Sequence, residues 1–132
     1  MSASSLIPKH KSDSETVQLV IKAGYPQVEP VLYELLEWLQ DMNWPIASEL
    51  YPFLSTIGIP LAPSIRRVFQ TDDYTWQRNV SRLFSDSKEL YALFREQIIR
   101  IAKSPTEEER LEDVDEACLE AIHSHEPTLC SK

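Results

Sequence analysis

Two glycines among 132 residues, set against nine prolines, restrict this chain more than any other feature of its sequence. Tight β-hairpin turns lean on glycine for positive φ, so a fold built from many such turns has almost nothing to turn with. Proline is tolerated in the first turn of a helix, where its missing N–H would have no partner anyway, and in the connections between helices. The two counts therefore predict an all-α fold punctuated by proline. Composition agrees: 42% apolar and 26% charged residues are ordinary for a globular domain, and this length is enough for one self-sufficient core.

Apolar periodicity and capping residues mark seven helices. The first spans 13–23, with Ser12 or Asp13 as cap, Val17, Val20 and Ile21 as its apolar stripe and Gly24 as its stop. The second spans 29–40, with Pro30 in its first turn and Leu32, Leu35, Leu36 and Leu39 at helical spacing. A third runs from Asn43 and Pro45 to Ile57, with a kink expected at Pro52, and a short basic fourth spans 64–70. The fifth, 73–84, buries Trp76, Val80, Leu83 and Phe84; the sixth extends from the Asp86-Ser87 cap to Lys103. The last, 107–123, presents Leu111, Val114, Ala117, Cys118, Ala121 and Ile122 as one stripe.

Asp41 precedes Trp44 by three residues, and Asp73 precedes Trp76 by three, 32 positions further on. Repetition at this period predicts a HEAT-like right-handed stack: about three antiparallel helix pairs behind an N-terminal capping helix, each burying its apolar face against its neighbours. Residues 1–12 are expected as a lead-in, 13–125 as a single domain and 126–132 as a flexible tail. No apolar run approaches the ~20 residues that span a bilayer, the first residues lack a signal-peptide layout, and two cysteines make no disulfide framework. A cytoplasmic location is expected.

The net charge is −8, which argues against a general nucleic-acid binder. Its distribution is uneven: residues 28–57 carry −5 with no Lys or Arg, 58–103 carry +3, and 104–132 carry −7. Glu34, Glu37 and Asp41 share one helix face at positions i, i+3 and i+7. Such a row is ordinarily a solvated face; without a local base it also steers a basic partner. With Trp38, Asn43 and Trp44, aromatic and polar residues beside it, this row is the candidate protein-binding surface, while Trp76 reads as core.

Arg66, Arg67, Arg78 and Arg82 lie on two consecutive helices, where convergence would make a phosphate-binding patch and pairing with nearby acids the more economical outcome. Lys9, His10 and Lys11 precede a helix start and offer a weaker anion contact. Cys118, His123, His125 and Cys130 contain possible ligands, but not at the spacing of a zinc module, so neither metal nor cofactor is expected. No glycine-rich phosphate loop, Gly-x-Ser-x-Gly elbow or His-Glu-x-x-His occurs, and the remaining catalytic alternative pairs Glu34 or Glu37 with His10. Non-enzymatic macromolecular recognition, most directly of a protein, is the functional expectation.

The stretches Leu6-Ile7-Pro8-Lys9-His10-Lys11-Ser12-Asp13 and Glu37-Trp38-Leu39-Gln40-Asp41-Met42-Asn43-Trp44-Pro45 resemble a bacterial family described as a domain of unknown function (number 5071). The similarity extends from Leu6 to about Ile122. It implies a small bacterial helical domain. HEAT-like domains of this size serve as protein-binding modules, including adaptors and immunity proteins of toxin systems, and that functional step is analogy of fold.

Overall fold

Among the described residues the chain forms nine α-helices: α1 (Ser14–Ala23), α2 (Leu32–Glu37), α3 (Pro45–Leu54), α4 (Ala62–Val68), α5 (Tyr74–Asp86), α6 (Lys88–Lys103), α7 (Glu107–Leu111), α8 (Val114–His125) and α9 (Pro127–Cys130). The structure, a computed structural model, describes residues 3–130, and of Cys130 the backbone only. Side-chain caps set many of the starts. Asp13 accepts from Thr16 N at 3.2 Å, Asp73 from Trp76 N at 3.0 Å and Ser87 from Leu90 N at 3.1 Å, each satisfying one of the orphan donors of a first turn. Thr106 and Glu109 close a reciprocal capping box on α7. Proline does the rest: Pro45 opens α3, and α2 and α4 each follow a short 3-10 turn, Glu29–Val31 with Pro30 and Ile59–Leu61 with Pro60.

Seven helices are expected; a break at Asp113 and the added α9 bring the number among the described residues to nine, and the second helix is shorter than expected. Where one helix was expected over 29–40, α-helix covers only Leu32–Glu37, flanked by the 3-10 turn and by turns at 38–40. The 107–123 helix is broken at Asp113, which takes a left-handed conformation at φ 61; aspartate is among the few non-glycine residues that tolerate it. That break turns Leu111 out of the stripe, 69% exposed, while Val114, Ala117, Cys118, Ala121 and Ile122 stay buried. Finally, where a tail was expected from 126, α9 follows and Leu129 packs against the core; residues 131 and 132 lie outside the described residues. In the lead-in, Ala3–Leu6 forms a 3-10 turn with Leu6 buried.

The core is continuous. α8 packs between α5 and α6, α4 joins α2 to α5, and α1 lies on α3. Leu35, Leu36, Leu50, Ile65, Leu83 and Ile98 are completely buried in it, each contributing about 1.5–3 kcal/mol relative to an exposed side chain. Ile21, expected in the stripe of α1, is exposed.

Element spacings recur in a register other than the aspartate-tryptophan one. α1 and α3 are both ten residues long and 31 positions apart, Ser14 to Pro45 and Ala23 to Leu54. The proline-bearing turns before α2 and α4 are 30 apart, Glu29 to Ile59. The two Asp-xx-Trp turns, in contrast, are not equivalent: Asp73 caps α5 with Trp76 in its first turn, whereas Trp44 is itself the residue before α3 and Asp41 precedes it in the turn.

Candidate functional site

The end of α2 lies against α5, and α5 finishes it. A helix leaves its last carbonyls without intrahelical donors, and those carbonyls need partners when buried. Trp76 Nε1 donates to Leu36 O at 2.8 Å and Asn79 Nδ2 to Leu39 O at 2.7 Å, with Gln40 O at 3.5 Å. Trp76 and Asn79 are one turn apart on α5, so one helix face supplies both donors. The chain can therefore leave the helix after Glu37 and run through a tight turn to α3. Within it Asp41 Oδ1 accepts from Asn43 N at 2.8 Å and Asp41 O from Trp44 N at 3.1 Å.

This turn sets the geometry of the proposed partner surface. Trp38 and Trp44 meet edge to face, ring centroids 5.5 Å apart, and both are half-buried. Glu37 and Asn43 are exposed; Glu34 and Asp41 are half-buried. Partial burial pushes the Glu37 carboxyl up, the neighbouring Glu34 charge adds to the effect, and Arg67 opposes it. The acidic row thus has a base beside it after all, delivered by α4 rather than by the row's own segment. The Arg67 guanidinium stacks 3.6 Å from the centroid of the Tyr33 ring, which in turn packs against Trp76 at 5.7 Å.

The four arginines do not gather into one patch. Arg66 lies over Phe94 at 5.2 Å, on the α4–α6 side, and Arg67 over Tyr33 of α2. Arg78 donates to Asn79 Oδ1 at 3.2 and 3.1 Å, and with Arg82 it lines a depression shared with Asp113, Glu116 and Glu120. Lys9, His10 and Lys11 are exposed and their segment is tied into local structure: Lys9 N donates to Asp13 Oδ2 at 2.9 Å, Ser12 N to His10 Nδ1 at 3.2 Å, and Ile46 N to Lys11 O at 3.1 Å. No described hydrogen bond joins His10 to Glu34 or Glu37.

The thiol of Cys118 is buried and burial pushes it up to about 12, which keeps it protonated and a poor ligand or nucleophile. His125 Nε2 lies 2.8 Å from Phe84 O, His123 is exposed, and the side chain of Cys130 lies outside the described residues. Among the described residues no helix is long and apolar enough to cross a membrane.

Asn79 is the functional-site residue that sequence reasoning overlooked. It sits in the buried stripe between Trp76, Val80 and Leu83, and a polar residue in an apolar stripe demands a partner. That demand was the available signal. Tyr33 is missed for a different reason, because its contact with Arg67 joins separate helices.

The profile of a family described as Domain of unknown function (DUF5071) matches residues 6–122. No curated protein matches the chain.

Proposed function

The chain belongs to the DUF5071 family, and from that membership and the geometry above we propose that it is a non-enzymatic protein-binding module of adaptor or immunity type, acting in a bacterial cytoplasm. The pairing of α1 with α3 and of α2 with α4, at a period of 30–31 residues, supports reading the fold as a HEAT-like stack of helix pairs. In that reading α1 begins the first pair.

The observation that carries the proposal is the Trp38–Trp44 pair, held half-exposed on a turn whose backbone is fixed from behind by α5. Pre-ordered tryptophans bind at little entropic cost and dominate interface energetics. Glu34, Glu37 and Asp41 lie around them in a segment of net charge −5, so the partner is a protein with a basic face, steered by charge and anchored by aromatic contact. Arg66 and Arg67, turned to different helices, and Arg78 and Arg82, set beside Asp113, Glu116 and Glu120, support no competing nucleic-acid surface.

The test is capture of a partner from lysate of the source cell, followed by affinity measurement with the purified partner. Trp44→Ala, and separately Glu34→Lys with Glu37→Lys, are expected to weaken binding tenfold or more, a loss of about 1.4 kcal/mol or above, with the far-UV spectrum unchanged. Unaltered affinity in both variants, or a partner whose contacting face is acidic, refutes the proposal. A shifted band with nucleic acid at low salt would replace it.

A further inference from the structure

An open groove of about 720 Å³ runs between the end of α4 and the middle of α6, and it shares no residue with the Trp38–Trp44 turn. Part of its lining is apolar: Phe94 is buried, Phe69 half-buried and Leu93 47% exposed. Three charged residues border that surface, Arg66, Arg95 and Glu96. Arg95 is already engaged, donating to both carboxylate oxygens of Glu126 at 2.7 and 2.9 Å. Arg66 lies over the Phe94 ring at 5.2 Å, and neither it nor Glu96 forms an ion pair with a described residue. The groove therefore offers apolar area with one cation and one anion left to pair beside it.

The same chain carries the complementary shape. Leu111, at the end of α7, is the most exposed large apolar side chain among the described residues, and it does not line the groove of its own molecule. Its position is fixed on both sides. The left-handed Asp113 turns it outward, while α7 is held by the Thr106–Glu109 capping box, by Arg100 bonding both oxygens of Glu109 at 2.6 and 2.8 Å, and by Thr75 Oγ1 donating to Glu112 Oε1 at 2.8 Å. Glu107 and Glu108 precede Leu111 by four and three positions, so both share its helix face, and Arg110 adjoins it. None of Glu107, Glu108 and Arg110 forms an ion pair with a described residue. An apolar side chain held out in this way, with two acids on one side and a base on the other, is ordered before it binds, which lowers the entropic cost of a contact.

We propose that the occupant of the α4–α6 groove is a second copy of this chain, whose α7 lays Leu111 against Phe69 and Leu93. In that contact Glu107 and Glu108 of one copy face Arg66 of the other, and Arg110 faces Glu96. The opposite orientation sets glutamate against Glu96 and Arg110 against Arg66, so the charges select one register. The two surfaces are unlike, so each copy has both a groove and an α7 to offer, and the contact closes on a pair when both are used at once. One leucine and a few exposed charges make a small interface, which places the dissociation constant at about 10–100 μM. This association uses no residue of the Trp38–Trp44 surface and leaves that surface open to another protein.

Sedimentation equilibrium of the full chain over a concentration series tests the proposal. The weight-average mass is expected to rise from that of the monomer as concentration passes about 10–100 μM, and the rise should shrink in high salt as the charges are screened. Leu111→Ala should weaken association about tenfold, the scale of one leucine withdrawn from an interface. Its exposure means that this truncation spares the fold. Arg66→Glu in one chain and Glu107→Lys with Glu108→Lys in another should each associate less than the parent, and an equal mixture of the two should recover, because every contact between the unlike chains again joins opposite charges. Far-UV circular dichroism confirms that each variant is folded. A monomer at every concentration up to about 1 mM overturns the proposal. So does an association unchanged by Leu111→Ala and by both charge variants, which would place the contact on another surface.

Discussion

Replacing Asn79 by alanine tests how the candidate surface is held. Asn79 is completely buried, and its amide is the donor for Leu39 O at 2.7 Å while its oxygen accepts from Arg78. Truncation strands a carbonyl that water does not reach, at about 1–3 kcal/mol. It also leaves a void of amide size worth about 1 kcal/mol. The expected loss is roughly 2–4 kcal/mol, a large share of the about 5–15 kcal/mol that holds a domain together. At about 3–5 °C per kcal/mol for a domain of this length, the midpoint of thermal unfolding falls by roughly 6–20 °C. Urea unfolding followed by far-UV circular dichroism gives the free energy directly, provided the slope is unchanged. Trp76→Phe keeps most of the ring and removes one of the donors to Leu36 O, which retains its bond from Leu39 N at 2.9 Å, so the further loss is about 0.5–1.5 kcal/mol. Because both bonds fix one turn, the double variant should lose less than the sum of the singles, by about 0.5 kcal/mol or more. Acrylamide quenching of Trp38 and Trp44 should rise in Asn79→Ala as the turn loosens. A loss below about 0.5 kcal/mol, with quenching unchanged, would show that α5 does not hold the turn.

Acid should weaken the fold in a defined window. Glu126 is held at about 2, against an ordinary 4.5, by hydrogen bonds from Arg95 and then Tyr91, and Asp13 at about 2, against 3.8, by the Lys9 amide and then the Thr16 hydroxyl. A carboxyl lowered on folding stabilises above its unfolded value and ceases to as pH falls through the folded one, so the melting temperature should be level above about pH 5 and drop between about 4.5 and 2. Glu126→Gln should flatten that drop, and a profile identical to the parent's counts against the assignment. Gly58 sits at φ 78 with ψ −137, and a Cβ there would meet nothing nearer than Ser87 Oγ at 3.9 Å. Gly58→Ala should therefore cost about 1–2 kcal/mol through the backbone alone; an unshifted melting temperature would show that the strain is absent.

What could be read from the sequence was mostly local chemistry. Scarce glycine and plentiful proline indicate an all-helical chain, and Asp13 and Ser87, among the caps expected for α1 and α6, cap them because a cap needs only a side-chain oxygen and an N–H three residues on. Trp76 was recognisable as core from its register with Val80 and Leu83. The family-like stretches at 6–13 and 37–45 fall within the matched region 6–122. What escaped depends on contacts between distant segments. Helix α2 stops early because α5, 40 residues on, satisfies its terminal carbonyls. The break at Asp113 cannot be seen in a stripe that runs through it with unchanged spacing. The acidic row looked free of bases because Arg67 is contributed by another helix.

The dependence of the 34–44 surface on α5 has a consequence for biosynthesis. Translation proceeds from the N-terminus, so every residue of that surface exists before Asn79 has been polymerised. During this interval the carbonyls of Leu36, Leu39 and Gln40 lack the donors that α5 supplies, and the turn has no backing. If this surface binds a protein as proposed, recognition would begin only after α5 has emerged and docked. A polypeptide ending at residue 70 would carry Glu34, Trp38 and Trp44 in full and lack the scaffold that arranges them.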